Sequence, residues 1–368
     1  MPLPRPVTLA AIAQATGFSR MTVSRVLQNK PGHSAESRRA ILKTARKLGW
    51  QPDPVVSIHM AHIRMSEAKK FQAMIALGHF WKDNVGWKDA LRSIPTLRRR
   101  SEEVIRYGES LGYCVEEFAV GPSAAECRAL ARVLRNRGFV GIIFQSPHHP
   151  GTRLEFPLKD LAASTFAYNL VGPRVHRATG DFYGMALDAA RRLAARGYRR
   201  ISLAFQRGNE ARVNHLWRAA ILVHQSEQPP KDRVPIFIAE RLDETGFDAF
   251  RIWMDKQRPD AIMSTDHVVR EWLERAGYRV PRDVGFVDLD WSPEKGNSSG
   301  VDQLHEQHGR AAVDVVVGQL NRRETGEPMV PRIVLIPGIW REGDSVTCAP
   351  KPTAAAANEL AATRQKSN

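Results

Sequence analysis

The sequence predicts an α/β protein in which a small all-α segment of three helices precedes a large core of parallel sheets flanked by helices. Between residues 8 and 48, apolar side chains recur at helical spacing and are interrupted by a glycine. From Phe71 onwards, short apolar runs rich in β-branched residues alternate with amphipathic helical patterns, as in parallel sheets covered by helices on both faces. The length of 368 residues allows this core to form two lobes.

The stretch Thr8–Arg25 predicts two short helices around a tight turn at Gly17. The first helix has an apolar face made of Ile12, Ala13 and Ala15. Ser19 can cap the second helix, which faces the first through Val23, Val26 and Leu27. The solvent face of the second helix then carries Arg20, Met21, Thr22 and Arg25. This pattern is typical of a helix-turn-helix that places its second helix in the major groove of DNA, although an ordinary helical hairpin is an alternative.

A third helix is predicted from about Ala35 to Leu48, with Ser34 as its N-cap. We expect its apolar face to complete a three-helix core with Ile41, Leu42, Ala45 and Leu48. Residues 1–64 contain ten Lys or Arg against Glu36 and Asp53, so this segment is strongly basic. A small, basic, three-helix unit favours nucleic acid as its partner.

Composition excludes several other classes of protein. The net charge of +15 indicates a polyanionic partner, and three widely spaced cysteines argue against a disulfide framework. No signal-peptide pattern and no apolar run of membrane-spanning length are present, so we expect a cytoplasmic protein with no membrane partner. The sequence also lacks a Walker loop, HExxH and GxSxG, and His148 and His149 do not have the spacing of metal ligands. We therefore expect neither enzymatic activity nor a cofactor or metal.

The apolar runs predict nine strands in the core. They are residues 72–78, 113–120, 139–145, 164–169, 200–205, 234–239, 261–265, 284–290 and 332–340. Helical patterns lie between them, for example at Leu97–Leu111, Ala124–Arg137, Tyr183–Arg196 and Val268–Ala276.

The first 54 residues resemble a known family. PVTLAAIAQATGFSRMTVSRVLQNKPGHSAESRRAILKTARKLGWQPDP is similar to the DNA-binding headpiece of the LacI/purine-repressor family of bacterial transcriptional regulators, including its S-x-x-T-V-S-R-V motif. In the core, ERAGYRVPRDVGFVDLD resembles the family's G-x-x-V-P-x-D-V-x-V-V-G-F-D segment. MALDAARRLAARGYRRISLA and PRIVLIPGIWREGDSV carry further matches.

The resemblance implies a helix-turn-helix headpiece (1–50), a hinge (51–70), a two-lobed periplasmic-binding-protein-like core (71–348) and a disordered tail (349–368). Lobe 1 would comprise about 71–169 and 300–328, and lobe 2 about 170–299 and 329–348. The chain would cross between the lobes near Asn169, Ser299 and Met329. The tail has no leucine heptad for a tetramer, so the expected assembly is a homodimer on a near-palindromic operator of double-stranded DNA.

The resemblance also implies roles for single residues in DNA binding. The base-reading positions are Arg20, Met21 and Arg25. The phosphate-contacting positions are Thr8, Ser19, Thr22 and Asn29. In the hinge, the family's minor-groove leucine corresponds to His59, with Met60 beside it, and the family's asparagine after proline is Asp53 here. These substitutions weaken the expectation of the usual hinge contacts.

The effector would be a small molecule, expected to be a carbohydrate, bound between the lobes. The polar candidates are Asp290, Arg212, Thr265 and Asp266, the last of which could instead be structural. The aromatic candidates are Phe80, Trp81 and Trp291, for which core packing is an equal alternative. Residues 78–100 depart from the family pattern and either line the pocket or form a surface insertion. The expected function is that of an effector-controlled repressor; the alternative is a sugar-binding or sugar-processing protein whose basic N-terminus is incidental.

Overall fold

The computed structural model describes residues 8–27, 34–48 and 73–347. The chain divides into two compact units, Met1–Lys70 and Phe71–Asn368. The predicted hinge residues His59 and Met60, the phosphate candidate Asn29 and the predicted tail lie outside the described residues. No helix in the described ranges is long and apolar enough to cross a membrane.

The described part of the first unit, called the headpiece below, consists of three helices. They are α1 (Leu9–Thr16), α2 (Arg20–Leu27) and α3 (Ala35–Lys47). Their buried core is formed by Ile12, Val23, Val26, Ile41 and Ala45. The three-helix prediction is therefore confirmed, except that Ala15 and Leu48 are exposed rather than part of the core.

The second unit, called the core below, contains nine described helices. They are α4 (Asn84–Ser93), α5 (Pro95–Ser110), α6 (Ala124–Asn136), α7 (Phe182–Ala195), α8 (Arg207–Arg212), α9 (Leu216–Ser226), α10 (Glu244–Gln257), α11 (Val268–Arg275) and α12 (His305–Arg322). The strands are β1 (Ala73–His79), β2 (Tyr113–Ala119), β3 (Phe139–Phe144), β4 (Thr152–Arg153), β5 (Ala162–Phe166), β6 (Leu170–Gly172), β7 (His176–Gly180), β8 (Ile201–Gln206), β9 (Phe237–Ala239), β10 (Ala261–Ser264), β11 (Gly285–Asp288), β12 (Gly300–Asp302), β13 (Ile333–Ile336) and β14 (Ile339–Arg341).

Two six-stranded sheets organise the core, and this confirms the predicted α/β class. The first sheet has the order β13-β7-β5-β3-β1-β2 and is parallel throughout. The second has the order β14-β12-β11-β10-β8-β9, in which only β14 is antiparallel to its neighbour. Alternate residues of the central strands enter apolar clusters on opposite faces, as a sheet covered on both sides requires.

The crossings between the lobes differ from those the sequence predicts. Strand β7 belongs to the first sheet, so the first crossing lies at Asp181 rather than near Asn169. The second lies at 303–304, between β12 and α12, close to the predicted Ser299. The third lies at Pro337–Gly338 rather than near Met329, because β13 pairs with β7 in the first sheet and β14 pairs with β12 in the second. Lobe 1 below means 73–180 and 305–336, and lobe 2 means 181–304 and 337–347.

The predicted strands at 164–169 and 332–340 also need correction. The first lies earlier, at Ala162–Phe166. The second is two strands in different sheets, because Pro337 interrupts the run. Strand β7 is missed because its sequence, HRATG, has no apolar alternation, although the structure buries most of it.

Candidate functional site

The turn between α1 and α2 is built from residues suited to their positions. Gly17 adopts a φ of 74°, in the left-handed region where a side chain is unfavourable, and its N–H donates to the carbonyl of Ala13. The Ser19 hydroxyl accepts the backbone N–H of Thr22 at 3.1 Å and so caps α2, as the sequence predicts. Thr8 caps α1 in the same way, accepting from the N–H of Ala11 at 3.3 Å.

Helix α2 buries one face and exposes the other. Val23 and Val26 are buried against the other two helices. The three base-reading candidates are all exposed, and Met21 retains 71% of its accessible surface. Arg20, Met21 and Arg25 therefore lie on a free surface of a size suited to the major groove, and their base-reading role remains a prediction.

The phosphate candidates surround the N-termini of α1 and α2. Thr8 and Ser19 are the cap residues, and the Thr22 hydroxyl lies 2.9 Å from that of Ser19. These hydroxyls already have local partners, so a phosphate here would also rely on backbone N–H groups at the helix ends. Their role in phosphate binding stays a prediction.

A cavity of about 280 Å³ lies in the cleft between the two lobes. Many of its wall residues follow the carboxyl ends of parallel strands, which is where such sheets bind ligands. Lobe 1 contributes Trp81, Ile94, Thr96, Leu97, Arg100, Ser146, His148, Ala167 and His305. Lobe 2 contributes Phe182, Asn209, Arg212, Val213, Trp217, Thr265, Asp290 and Gln303.

Asp290 lies on the cavity wall within a network of charged groups. One carboxylate oxygen lies 2.8 Å from Nε2 of His305, and the other lies 3.4 Å from Nζ of Lys295. Burial would raise the pKa of Asp290, but Lys295 and His305 hold it well below its usual range. Asp290 is thus ionised and fixed in orientation, as an acceptor of ligand hydroxyls needs to be.

Two arginines reach the cavity from opposite lobes. Arg100 donates from Nη2 to Oε1 of Gln145 at 2.8 Å, and its guanidinium carbon lies 4.5 Å from the centre of the Phe166 ring. Burial, and after it the charge of Arg212, lower the pKa of Arg100 to about 10. Arg212 lies at the end of α8 and its side chain lines the cavity. Loss of solvation next to the neighbouring protein lowers its pKa.

Four buried polar atoms of cavity-lining residues have no hydrogen-bond partner among the described residues. They are Nε of Arg100, Oγ of Ser146, Oγ1 of Thr265 and Nδ1 of His305. Buried polar atoms in proteins are almost always paired, so four such atoms around one cavity mark a place where a ligand or water completes the bonding.

Three of the predicted effector residues do not line this cavity. Asp266 is buried beneath it, accepting from the N–H of Gln206 at 2.8 Å and from Asn209 at 2.5 Å, so it positions the loop that carries Asn209. Phe80 packs against the apolar cluster of lobe 1. Trp291 lies beside Arg341, whose guanidinium carbon is 5.5 Å from its ring. Phe80 therefore follows the core-packing alternative, whereas Trp291 lies outside both the cavity wall and the apolar clusters.

Trp81 does line the cavity, in edge-to-face contact with His148 at 4.5 Å between ring centres. Residues 78–100, which depart from the family pattern, thus form part of the wall, since Ile94, Thr96 and Leu97 line the cavity too. Trp87 of the same segment is buried beneath them. The exposed ring of His148 also borders the cavity.

Sequence reasoning did not single out six polar wall residues: Thr96, Arg100, Ser146, Asn209, Gln303 and His305. Three of them lie just after a strand of the second sheet or at the crossing that follows it, which is a positional signal. Arg100 has no such signal, because it is one of three successive arginines and only the packing of α5 selects it.

Comparisons with known proteins agree with both units. Residues 8–53 match the model described as "Bacterial regulatory proteins, lacI family", and residues 190–346 match the "Periplasmic binding protein-like domain". The HTH-type transcriptional regulator MalR of Streptococcus pneumoniae is 23% identical over 345 residues, covering 89% of this chain and 97% of that protein. AglR of Rhizobium meliloti is 28% identical over 308 residues, covering 77% and 78% respectively.

Solved structures show the same fold. The transcriptional regulator CelR in complex with cellobiose has a TM-score of 0.54 at 19% identity, covering 92% of this chain and 100% of that one. The lac repressor dimer bound to operator and the anti-inducer ONPF has a TM-score of 0.52 at 17% identity, covering 93% and 100%.

A helix-turn-helix headpiece, in one chain with a two-lobed core of periplasmic-binding-protein type, defines a DNA-binding transcriptional regulator. The headpiece matches the LacI family of bacterial regulatory proteins, as its sequence motifs predict, and the core matches the periplasmic-binding-protein type.

Proposed function

We propose that this regulator is a repressor whose affinity for its operator is controlled by a small carbohydrate bound in the cleft. The observation that carries this proposal is the set of unpaired buried polar atoms in cavity-lining residues of both lobes: Arg100, Ser146 and His305 from lobe 1, and Thr265 from lobe 2. A ligand bound among these residues contacts both lobes at once.

The coupling follows from that arrangement. A ligand that bridges the lobes binds one relative orientation of them better than another, and so shifts the population of lobe arrangements. If the operator also favours one arrangement, ligand and DNA change one another's affinity by the same factor. Neither effect requires catalysis, and we propose that the chain is not an enzyme.

The DNA-binding roles are assigned as follows. Arg20 and Arg25 pair with guanine edges and Met21 contacts a thymine methyl, while the capped helix ends at Thr8 and Ser19 bind phosphates. Thr22 and Asn29 would add phosphate contacts, and His59 and Met60 of the hinge would approach the minor groove. Within the cavity, Asp290 and Thr265 bind hydroxyls and Arg212 binds the ligand from the opening of the cavity.

Relatives support the ligand class and the assembly. The solved structure of CelR is a complex with cellobiose, and that of the lac repressor is a dimer bound to operator. By analogy we propose a homodimer on a near-palindromic site, acting on DNA in the cytoplasm. The proposed division is headpiece 1–50, hinge 51–70, core 71–348 and tail 349–368. Within the core, the chain crosses between the lobes at the three points given by the sheet order.

The test is selection of bound fragments from a pool of random duplex DNA by the full-length protein at near-physiological salt. We expect enrichment of a two-fold symmetric sequence. Arg25→Ala is expected to abolish the preference at the affected base positions, whereas Arg46→Ala, an equal loss of charge on α3, should weaken all sequences alike. Retention without any enriched sequence, declining steeply with salt, would overturn the proposal.

A further inference from the structure

The charges that line the cavity do not cancel. Arg100 and Arg212 contribute two positive charges, and neither forms an ion pair with a carboxylate of the described residues within 4.0 Å. Among the described residues, Asp290 is the one carboxylate on the cavity wall, and Asp288 and Asp266 lie buried behind it. Lys295 lies within 3.6 Å of both Asp288 and Asp290. The lining therefore combines two arginines with one carboxylate, so the wall itself carries an excess of one positive charge.

The excess charge is accessible to a ligand and held in place. Gln145 donates to Oγ of Ser101 at 2.9 Å, which fixes the amide oxygen that receives Arg100. The Phe166 ring supports the guanidinium from one face, and Nε is buried, so the donors that remain for a ligand are on the terminal guanidinium nitrogens. An arginine in this state offers a planar pair of donors, the arrangement that binds a carboxylate through two parallel hydrogen bonds.

The rest of the wall suits a sugar ring. Trp81 provides apolar surface with the buried Trp217 behind the wall, while Asn209 and Asp290 provide donors and acceptors for hydroxyl groups. The volume of about 280 Å³ lies at the small end of ligand pockets, which range from about 300 to 1,000 Å³, and fits one ring better than two.

We infer that the effector is a monosaccharide acid, a single sugar ring or open-chain sugar bearing one carboxylate, with the carboxylate held by Arg100 and Arg212. This inference rests on the proposed ligand-binding role of the cavity and specifies its chemistry. One carboxylate balances the one excess charge, whereas a phosphate at neutral pH brings between one and two.

The test is isothermal titration calorimetry of the full-length protein at pH 7 with four probes: D-glucuronate, D-gluconate, glucose 6-phosphate and D-glucose. We expect at least one of the two sugar acids to bind at least about 10-fold more tightly than D-glucose, since a hydrogen bond to a charged group is worth about 1.5–3 kcal/mol. Glucose 6-phosphate should bind more weakly than the sugar acid.

Three variants and a control then assign the charge. Arg212→Gln, at the open side of the cavity, and Arg100→Gln should each weaken sugar-acid binding about 10- to 100-fold. Arg100→Lys should retain more of it, because the charge is kept and only the paired geometry is lost. Arg251→Gln, an exposed arginine of α10 outside the cavity, removes the same charge and should leave binding unchanged. Circular dichroism melting checks that each variant is folded. If Arg100→Gln does not fold, Arg212→Gln alone tests the anionic assignment.

Other results would contradict the inference. Equal binding of D-glucose and the sugar acids, or sugar-acid binding insensitive to Arg212→Gln, would overturn the anionic assignment while leaving a neutral effector in place. Tighter binding of glucose 6-phosphate would assign the site to a sugar phosphate instead. If no probe binds, the inference is wrong, and the enriched-DNA selection then decides separately whether the proposed regulator function survives.

Discussion

The headpiece depends on a very small core, so one truncation should separate its stability from that of the core domain. Ile12 has no accessible surface and is one of only five buried apolar residues in the described headpiece. Replacing a fully buried isoleucine by alanine costs about 2–5 kcal/mol. A unit of about 50 residues is stable by only about 3–7 kcal/mol. Ile12→Ala should therefore leave the headpiece partly or largely unfolded.

Differential scanning calorimetry on the full-length protein, together with fluorescence anisotropy on the enriched duplex, measures the two consequences. We expect the headpiece transition to move to much lower temperature and duplex affinity to fall at least about 10-fold. The melting temperature of the core should change by no more than about 1–2 °C, the scatter of repeated scans. Leu48→Ala is the control, since that side chain is 40% exposed and its truncation should cost little. An Ile12→Ala protein with unchanged duplex affinity and melting would refute the three-helix packing.

Three further predictions concern the turn, the recognition helix and a buried histidine. Gly17→Ala places a side chain at a φ of 74° and should destabilise the headpiece by about 1–2 kcal/mol in the same calorimetric assay; no change would mean that the turn is built differently. Arg25→Ala should remove operator selectivity in anisotropy titrations while sugar-acid binding by calorimetry is retained, and preserved selectivity would show that α2 is not the reading helix. Burial lowers the pKa of His308 well below its usual value, with His305 and Arg100 adding to the effect. As pH falls below about 6.5 the unfolded chain takes up a proton that folded His308 cannot, so core stability should fall between pH 7 and pH 5 by up to about 1.4 kcal/mol per pH unit from this group. His308→Gln should flatten that dependence in urea titrations, and an unchanged slope would contradict the assignment.

The structure of the headpiece could be predicted almost completely from the sequence, because local signals determine it. Ser19 and Ser34 act as caps, Gly17 turns the chain, and the apolar period places Val23 and Ile41 in the core. Leu48 was misplaced because helix α3 ends at Lys47, so the helical period no longer sets the direction of its side chain.

The core was predictable in class but not in connection. The alternation of strands and helices indicates parallel sheets, yet nothing local shows that β7, with the sequence HRATG, joins the first sheet. That pairing, and the separation of β13 from β14, depend on contacts between residues far apart in the chain.

The cavity shows the same division. Asp290, Arg212, Thr265 and Trp81 lie on its wall, where the family pattern and the strand ends place them. Arg100 could not be selected, because Arg98, Arg99 and Arg100 are alike in sequence and differ only in what α5 faces. In the structure Arg99 pairs with Glu306 while Arg100 turns into the cleft.

Coupling between the cleft and DNA is the central claim. It is tested most directly by the affinity for the enriched duplex, measured with and without a saturating probe that calorimetry shows to bind. We expect the duplex affinity to change about 5- to 150-fold, and the duplex to change the probe affinity by the same factor. A probe that binds in the cleft yet leaves duplex affinity unchanged would contradict it.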